Sequence, residues 1–376
     1  MACATRVVRR ARIFAMKLAR PDVRLFALCA VAVLGAGVFR FVKAGNIVPF
    51  AVAAVALALL ALLVGRSVEA LGDRLGPGAT GVVQSGLGNL PELFVSIFAL
   101  RAGLTEVVKG AIVGSILGNV LLILGLAFVV GGVKHGPQKF GAEQGRMVSL
   151  LLLLAVGALA VPSLTSALHT PAAGHEAGLS IFVSIALLIV FALSLPATMQ
   201  KQPGTPGADK AAHHAAALVD HANLWPLSFA LVMLGISGLG AAFVSEWFVH
   251  ALEPFIHALH ISEAFAGLVI VAIAGNAIEN VVGIQLAARG QADYAVSVIL
   301  QSPLQVALVL APLLVLLSHV VAPVALTLVF SPLLLAAMLL TAIIAMVVVF
   351  DGESTWLEGS ALLALYAVIA AAFWWG

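Results

Sequence analysis

Long apolar runs separated by short polar interruptions dominate the chain. They lie near 23–39, 46–64, 80–101, 105–130, 147–164, 179–198, 224–248, 262–287, 292–317, 323–349 and 357–374. Most are long enough for a helix to cross about 30 Å of hydrocarbon. The pattern predicts an all-α polytopic membrane protein of eleven transmembrane helices. Composition agrees: 62% hydrophobic and 10% charged residues, with mean hydropathy +1.14, cannot provide a water-soluble coat. The Arg-rich start runs into a span that continues directly to a second helix, so no cleavable signal peptide is expected. Cys3 and Cys29 imply no disulfide framework.

Charge bias orients the spans. Arg9, Arg10, Arg12, Lys17, Arg20 and Arg24 precede the first, Arg66 and Arg74 follow the second, and Lys134, Lys139 and Arg146 follow the fourth. Lys201 and Lys210 after the sixth and Arg289 after the eighth keep the alternation, whereas loops 165–178 and 251–261 contain no Lys or Arg. The amino terminus is thus expected in the cytoplasm and, after an odd number of crossings, the carboxyl terminus outside. Arg40 and Lys43 are exceptions on the outer side. Short loops and the lack of organelle-targeting features favour a bacterial inner membrane.

Two apolar runs share a motif. Gly88-Asn89-Leu90-Pro91-Glu92 returns 187 residues later as Gly275-Asn276-Ala277-Ile278-Glu279, and Ser115 and Ser302 each lie 23 residues beyond the glutamate. Gln305 aligns with Gly118 at the same offset. An internal duplication is indicated. Because Glu92 and Glu279 are five crossings apart, the copies run in opposite senses, the ground plan of an inverted-topology repeat with its site at the repeat interface. The expected organisation is 1 + 5 + 5 helices. Residues 1–45 form a basic tail and an extra first helix, 46–199 the first repeat, 200–222 a cytoplasmic linker with Pro203, Gly204, Pro206 and Gly207, and 223–376 the second repeat.

A carboxylate inside hydrocarbon costs several kcal/mol unless a function or partner retains it. Gly88, Asn89 and Pro91 weaken the helix beside Glu92 and free backbone carbonyls. Such carbonyls are tolerated at membrane depth only where they face protein or a water-filled cavity. Gly275 and Asn276 offer a similar break before Glu279. Two facing glutamates, with carbonyls, Asn89, Asn276, Ser115, Ser302 and water, could assemble the roughly six to eight oxygens that calcium prefers. Without a cation, two close carboxylates in low dielectric cannot both stay charged cheaply, so they take up protons. One pair can therefore carry a divalent cation or two protons. Inorganic cations, protons and the bilayer are the expected partners, with no nucleic acid and no cofactor. The bland reading of the Asn, Ser and Gln residues is hydrogen bonding between helices.

Residues 80–132, with GNLPELFVSIFALRAG and VVKGAIVGSILGNVLLILGLAFVVGG, and 267–317, with GLVIVAIAGNAIEN and LQSPLQVALVLAPLLVLL, resemble the paired alpha-repeats of calcium/cation-proton exchangers in the cation/calcium antiporter superfamily. The ending DGESTWLEGSALLALYAVIAAAFWW resembles that family's last helix. The resemblance implies eleven helices, extrusion of Ca2+ driven by inward H+ movement, and alternating access by sliding of outer helices against the repeat core. It implies Glu92 and Glu279 as principal cation and proton ligands, with Asn89, Asn276, Ser115 and Ser302 in support. It also implies backbone carbonyls near Gly88 and Gly275 as donors, Gln305 as a polar position of the second repeat, and Gln84 as a neighbour of the first motif. The chain departs from the family pattern at Leu90-Pro91, and at Asn280 where relatives carry histidine, which leaves Na+ or K+ exchange as an alternative. A cation channel would need a continuous pore, usually from oligomeric symmetry, and a duplicated single chain favours alternating access. No nucleophile or His-rich pattern points to an enzyme.

Overall fold

The computed structural model describes residues 20–42, 45–75, 87–199 and 225–375. The basic residues before Arg20, Lys43, Gln84 and the linker 200–222 lie outside the described residues, as does the first part of the third apolar run. Twelve helical segments are labelled here in chain order: α1 (Arg20–Phe41), α2 (Ile47–Leu75), α3 (Leu90–Arg101), α4 (Thr105–His135), α5 (Ala142–Ala167), α6 (Glu176–Met199), α7 (Leu227–Leu259), α8 (Glu263–Gly275), α9 (Ala277–Ala288), α10 (Ala292–Val321), α11 (Pro332–Val348) and α12 (Trp356–Trp374). Among the described residues, eight are long and apolar enough to cross a membrane, or nine spans if α8 and α9, bent by 65°, count as one. The chain is accordingly a mostly helical, multi-pass membrane protein.

Burial ranks the helices. In their most apolar stretches α4 is 67% and α10 61% buried, against 17% for α1 and 22% for α6 and α12. The first two form the centre, and the peripheral helices expose residues such as Val31, Leu34, Phe182, Leu193 and Val368, as expected of faces turned to lipid. Small residues let backbones meet in the centre. A Cβ on Gly114 would collide with the main chain of Leu268, and one on Gly267 with the carbonyl of Val107, so α4 and α8 pack backbone to backbone. The 187-residue repeat of the sequence recurs in the helix limits: α3 and α9 span equivalent positions, and α4 and α10 start at equivalent positions. Each of α4 and α10 also passes into a π-helical stretch, Gly118–Ile123 and Val306–Leu310, shortly after its serine. Such widened turns are frequent at functional sites.

The helices α2 and α7 lie together, with Phe50 stacked on Phe255 at 4.0 Å and tilted against Phe248 at 4.9 Å. The first helix, α1, packs on this pair. Its Asp22 is buried and bonds both Arg66 Nε of α2 at 3.3 Å and the Trp225 indole just before α7 at 3.0 Å. Arg66 also reaches Glu69 at 3.2 Å and lies over the Trp225 ring.

One expected span is corrected. The run 323–349 was predicted as a single helix, but the chain from Ala322 to Phe330 is irregular and α11 starts only at Pro332. Pro323 follows the end of α10, and Ser331 caps α11, accepting from the Leu334 amide, with Pro332 at its first position. The non-helical stretch meets its hydrogen bonds from three helices: Ser318 accepts from the Leu326 amide at 2.8 Å, Ser180 from Leu328 at 2.9 Å and Ser163 from Phe330 at 2.9 Å. Backbone polar groups buried in an apolar setting require such partners. At the other end of α11, strands β1 (Gln138–Lys139) and β2 (Glu353–Ser354) pair antiparallel and tie the α4–α5 and α11–α12 connections. The Glu353 carboxylate, 2.9 Å from the Lys139 ammonium, holds that lysine above its ordinary range.

Candidate cation site

The two motifs place their asparagines at helix breaks of nearly the same geometry. Asn89 (φ −89°, ψ 15°) precedes α3, and Asn276 (φ −89°, ψ 26°) separates α8 from α9. Each helix then starts with its glutamate in the first turn, Glu92 in α3 and Glu279 in α9. Free amides and the helix dipole favour a carboxylate there. Pro91 is tolerated because a first-turn residue has no intrahelical partner for its missing N–H.

Glu92 is buried and carries the centre of the site. Its Oε1 accepts from Ser115 Oγ at 2.9 Å and from the side-chain amide of Asn276. Its Oε2 is buried without a hydrogen-bond partner. The carboxylate lies so close over Gly275 that a Cβ there would stand 2.5 Å from Glu92 Cγ. Asn276 also donates to Ser115 Oγ at 3.0 Å and to the Ala272 carbonyl at 2.9 Å, while its Oδ1 accepts from Ser302 Oγ at 3.1 Å. Beside this network, Asn89 Nδ2 donates to Gln305 Oε1 at 3.4 Å.

The structure thus joins Glu92, Ser115, Asn276 and Ser302 in one hydrogen-bonded group over Gly275, with Asn89 and Gln305 paired next to it. Glu279 is different. It is half-buried in the first turn of α9, its carboxylate is held by its own backbone amide, and it stands outside the hydrogen-bonded group around Glu92. Gly88 stands at the turn before α3, and Gln84 lies outside the described residues.

Sequence reasoning missed Asn119. Its Nδ2 donates to Asn276 Oδ1 at 2.9 Å, to the Ser115 carbonyl at 2.8 Å and to Ser302 Oγ at 3.2 Å, and its buried Oδ1 has no partner. Comparing the copies at a fixed offset sets Asn119 against Val306 and hides it. The available signal was local: Asn119 lies four residues after Ser115, one turn on along the same helix face, in an otherwise apolar run.

The donors are hard oxygens from α3, α4, α9 and α10 and the α8–α9 break, with no thiolate or imidazole. A dehydrated cation or a proton would satisfy the orphaned Oε2 of Glu92. Residues 45–199 and 229–375 match the family described as sodium/calcium exchanger protein, which accounts for most of the chain. The chain belongs to this exchanger family. Among its relatives, the Ca(2+)/H(+) antiporter ChaA of Bacillus subtilis (strain 168) is 33% identical over 325 residues, covering 86% of this chain and 91% of the relative. The Ca(2+)/H(+) antiporter of Aphanothece halophytica is 33% identical over 341 residues, covering 86% and 89%. The structure of native YfkE superposes with a TM-score of 0.77 at 32% identity, covering 93% of this exchanger and 99% of that chain. The H+/Ca2+ exchanger CAX gives a TM-score of 0.73 at 17% identity over 94% and 91%, a likeness of fold.

Proposed function

We propose that this exchanger moves Ca2+ out of the cytoplasm in return for H+, and that Glu92 and Glu279 bind either the cation or protons. It is a transporter and not an enzyme. The observation that carries the mechanism is the buried Glu92 carboxylate, with one oxygen held by Ser115 and Asn276 and the other orphaned. An anion in that position needs a positive partner, and a proton and a cation compete for it. The relatives at 33% identity, themselves Ca2+/H+ antiporters, favour Ca2+ as the cation.

The first repeat supplies Glu92, Asn89, Ser115 and Asn119, and the second Glu279, Asn276, Ser302 and Gln305, with carbonyls near Gly88 and Gly275 completing the shell. Cation ligands divided in this way separate and re-form when one half moves against the other. Alternating access across eleven helices in an inverted repeat, with the amino terminus cytoplasmic in a bacterial inner membrane, is the accompanying reading. Long-range contacts support that topology: each joins helix ends that it assigns to one side. Asp22 meets Arg66 and Trp225, β1 meets β2, and Ser262 meets the Phe373 carbonyl.

The test is uptake into proteoliposomes of purified protein under an imposed pH gradient. Calcium flux that follows the proton gradient and is abolished by Glu92→Gln or Glu279→Gln is the expected result. Flux of Na+ or K+ alone reassigns the cation, and calcium flux that survives both substitutions removes the glutamates from the mechanism.

A further inference from the structure

Arg40 runs against the charge bias that orients the rest of the chain, and the structure gives it a setting. It stands in the last turn of α1, half-buried, and makes no hydrogen bond or ion pair among the described residues. The helix C-terminus attracts a cation, but the guanidinium caps none of the described α1 carbonyls. It lines a cavity of about 170 Å³ enclosed by the end of α1, the start of α2 and the outer part of α7. Asn46 and His250 add polar atoms to the wall, and Phe39, Trp247 and Pro254 add apolar surface. Among the described residues no acid lines it. Val42 of the wall is exposed, and its chain neighbours Val38, Phe41, Ile47 and Val48 are exposed too, apolar surface of the kind that faces lipid.

We propose that this cavity binds an anionic phospholipid, with the headgroup phosphate on Arg40, Asn46 and His250 and the glycerol and first acyl carbons on Phe39, Trp247 and Pro254. Three features favour this ligand. An unpaired guanidinium offers several donors to phosphate oxygens. Among the described residues the wall has no carboxylate to pair with the ammonium of a zwitterionic headgroup. A polar wall joined to an apolar one matches a lipid at the membrane boundary, where tryptophan also concentrates. A soluble phosphate would have no use for the apolar wall. The site is separate from the glutamates and does not depend on which cation the exchanger carries.

The experiment is thermal unfolding of the full-length protein in detergent with phosphatidylglycerol, phosphatidylcholine or soluble glycerol phosphate, for wild type, Arg40→Gln and Arg40→Lys. Phosphatidylglycerol should raise the wild-type midpoint by about 3 °C or more above phosphatidylcholine. That increment should vanish in Arg40→Gln and return in large part in Arg40→Lys. If Arg40→Gln does not fold, His250→Asp, at an exposed position, sets an anion at the mouth and should abolish the same increment. An increment that persists in the charge-altered variant overturns the proposal. An equal response to glycerol phosphate would mark a site for free anions and overturn it as a lipid site.

Discussion

Asn276 donates its side-chain amide to Oε1 of Glu92, 184 residues away in the chain, and so the helix break of one repeat holds the carboxylate of the other. Removing this side chain leaves Ser115 alone on that oxygen and takes away the acceptor that Asn119 and Ser302 share, Asn276 Oδ1. A hydrogen bond to a charged group contributes about 1.5–3 kcal/mol. Asn276→Ala should therefore weaken calcium by ~10- to 100-fold, measured as the half-saturating concentration for uptake.

Asn119 reaches both serines and Asn276 without touching Glu92. Asn119→Leu should lower uptake at least as much as Ser302→Ala does, with a size-exclusion profile like that of the wild type. Uptake equal to wild type would reduce Asn119 to a packing residue.

Gly275 separates a steric effect from a chemical one. Gly275→Ala drives a methyl group into the Glu92 side chain, whereas Gly157→Ala in α5 meets nothing within 4 Å. The first should abolish most uptake while the protein remains folded, and the second should leave uptake unchanged and match or slightly exceed wild-type stability. Size-exclusion profiles and unfolding midpoints, read beside flux, check both.

Asp22 and Arg66 fasten α1 to α2, with Trp225 bringing in the start of α7. Asp22→Leu leaves Arg66 with Glu69 as its remaining acid and should cost about 1–3 kcal/mol. The double variant Asp22→Leu/Arg66→Met should recover part of that loss, because an apolar pair does not strand a charge. Additive losses in thermal unfolding would show that the two residues are not coupled.

The proposed competition for one carboxylate pair fixes the sign of the pH dependence. Lower pH fills the site with protons, so apparent calcium affinity must fall as pH falls. The loss should be ~10-fold per pH unit where one proton is displaced and ~100-fold where two are. Affinity that is flat with pH would mean that the protons travel by another route.

Much of this was legible in the chain. Strict spacing between Glu92 and Ser115, repeated at Glu279 and Ser302, reflects two helices that start at equivalent positions in both halves, and the Glu92–Ser115 hydrogen bond realises it. Asn119 was hidden because the second copy of its position is Val306 while Gln305, one residue earlier, supplies the polar group there. Hydropathy also misassigned 323–330 as helix. Apolar side chains read alike in either conformation, and the hydroxyls that satisfy this backbone come from Ser163, Ser180 and Ser318 on three other helices. Asp22 stood unnoticed among the arginines of the amino-terminal region, its indole partner 203 residues distant.

The most direct measurement is proton release from detergent-purified protein in weak buffer when Ca2+ is added, for wild type, Glu92→Gln and Glu279→Gln. Protons displaced in proportion to bound calcium, with the release reduced or lost in each variant, are the predicted result. Calcium binding to the wild type without proton release would contradict a shared carboxylate site.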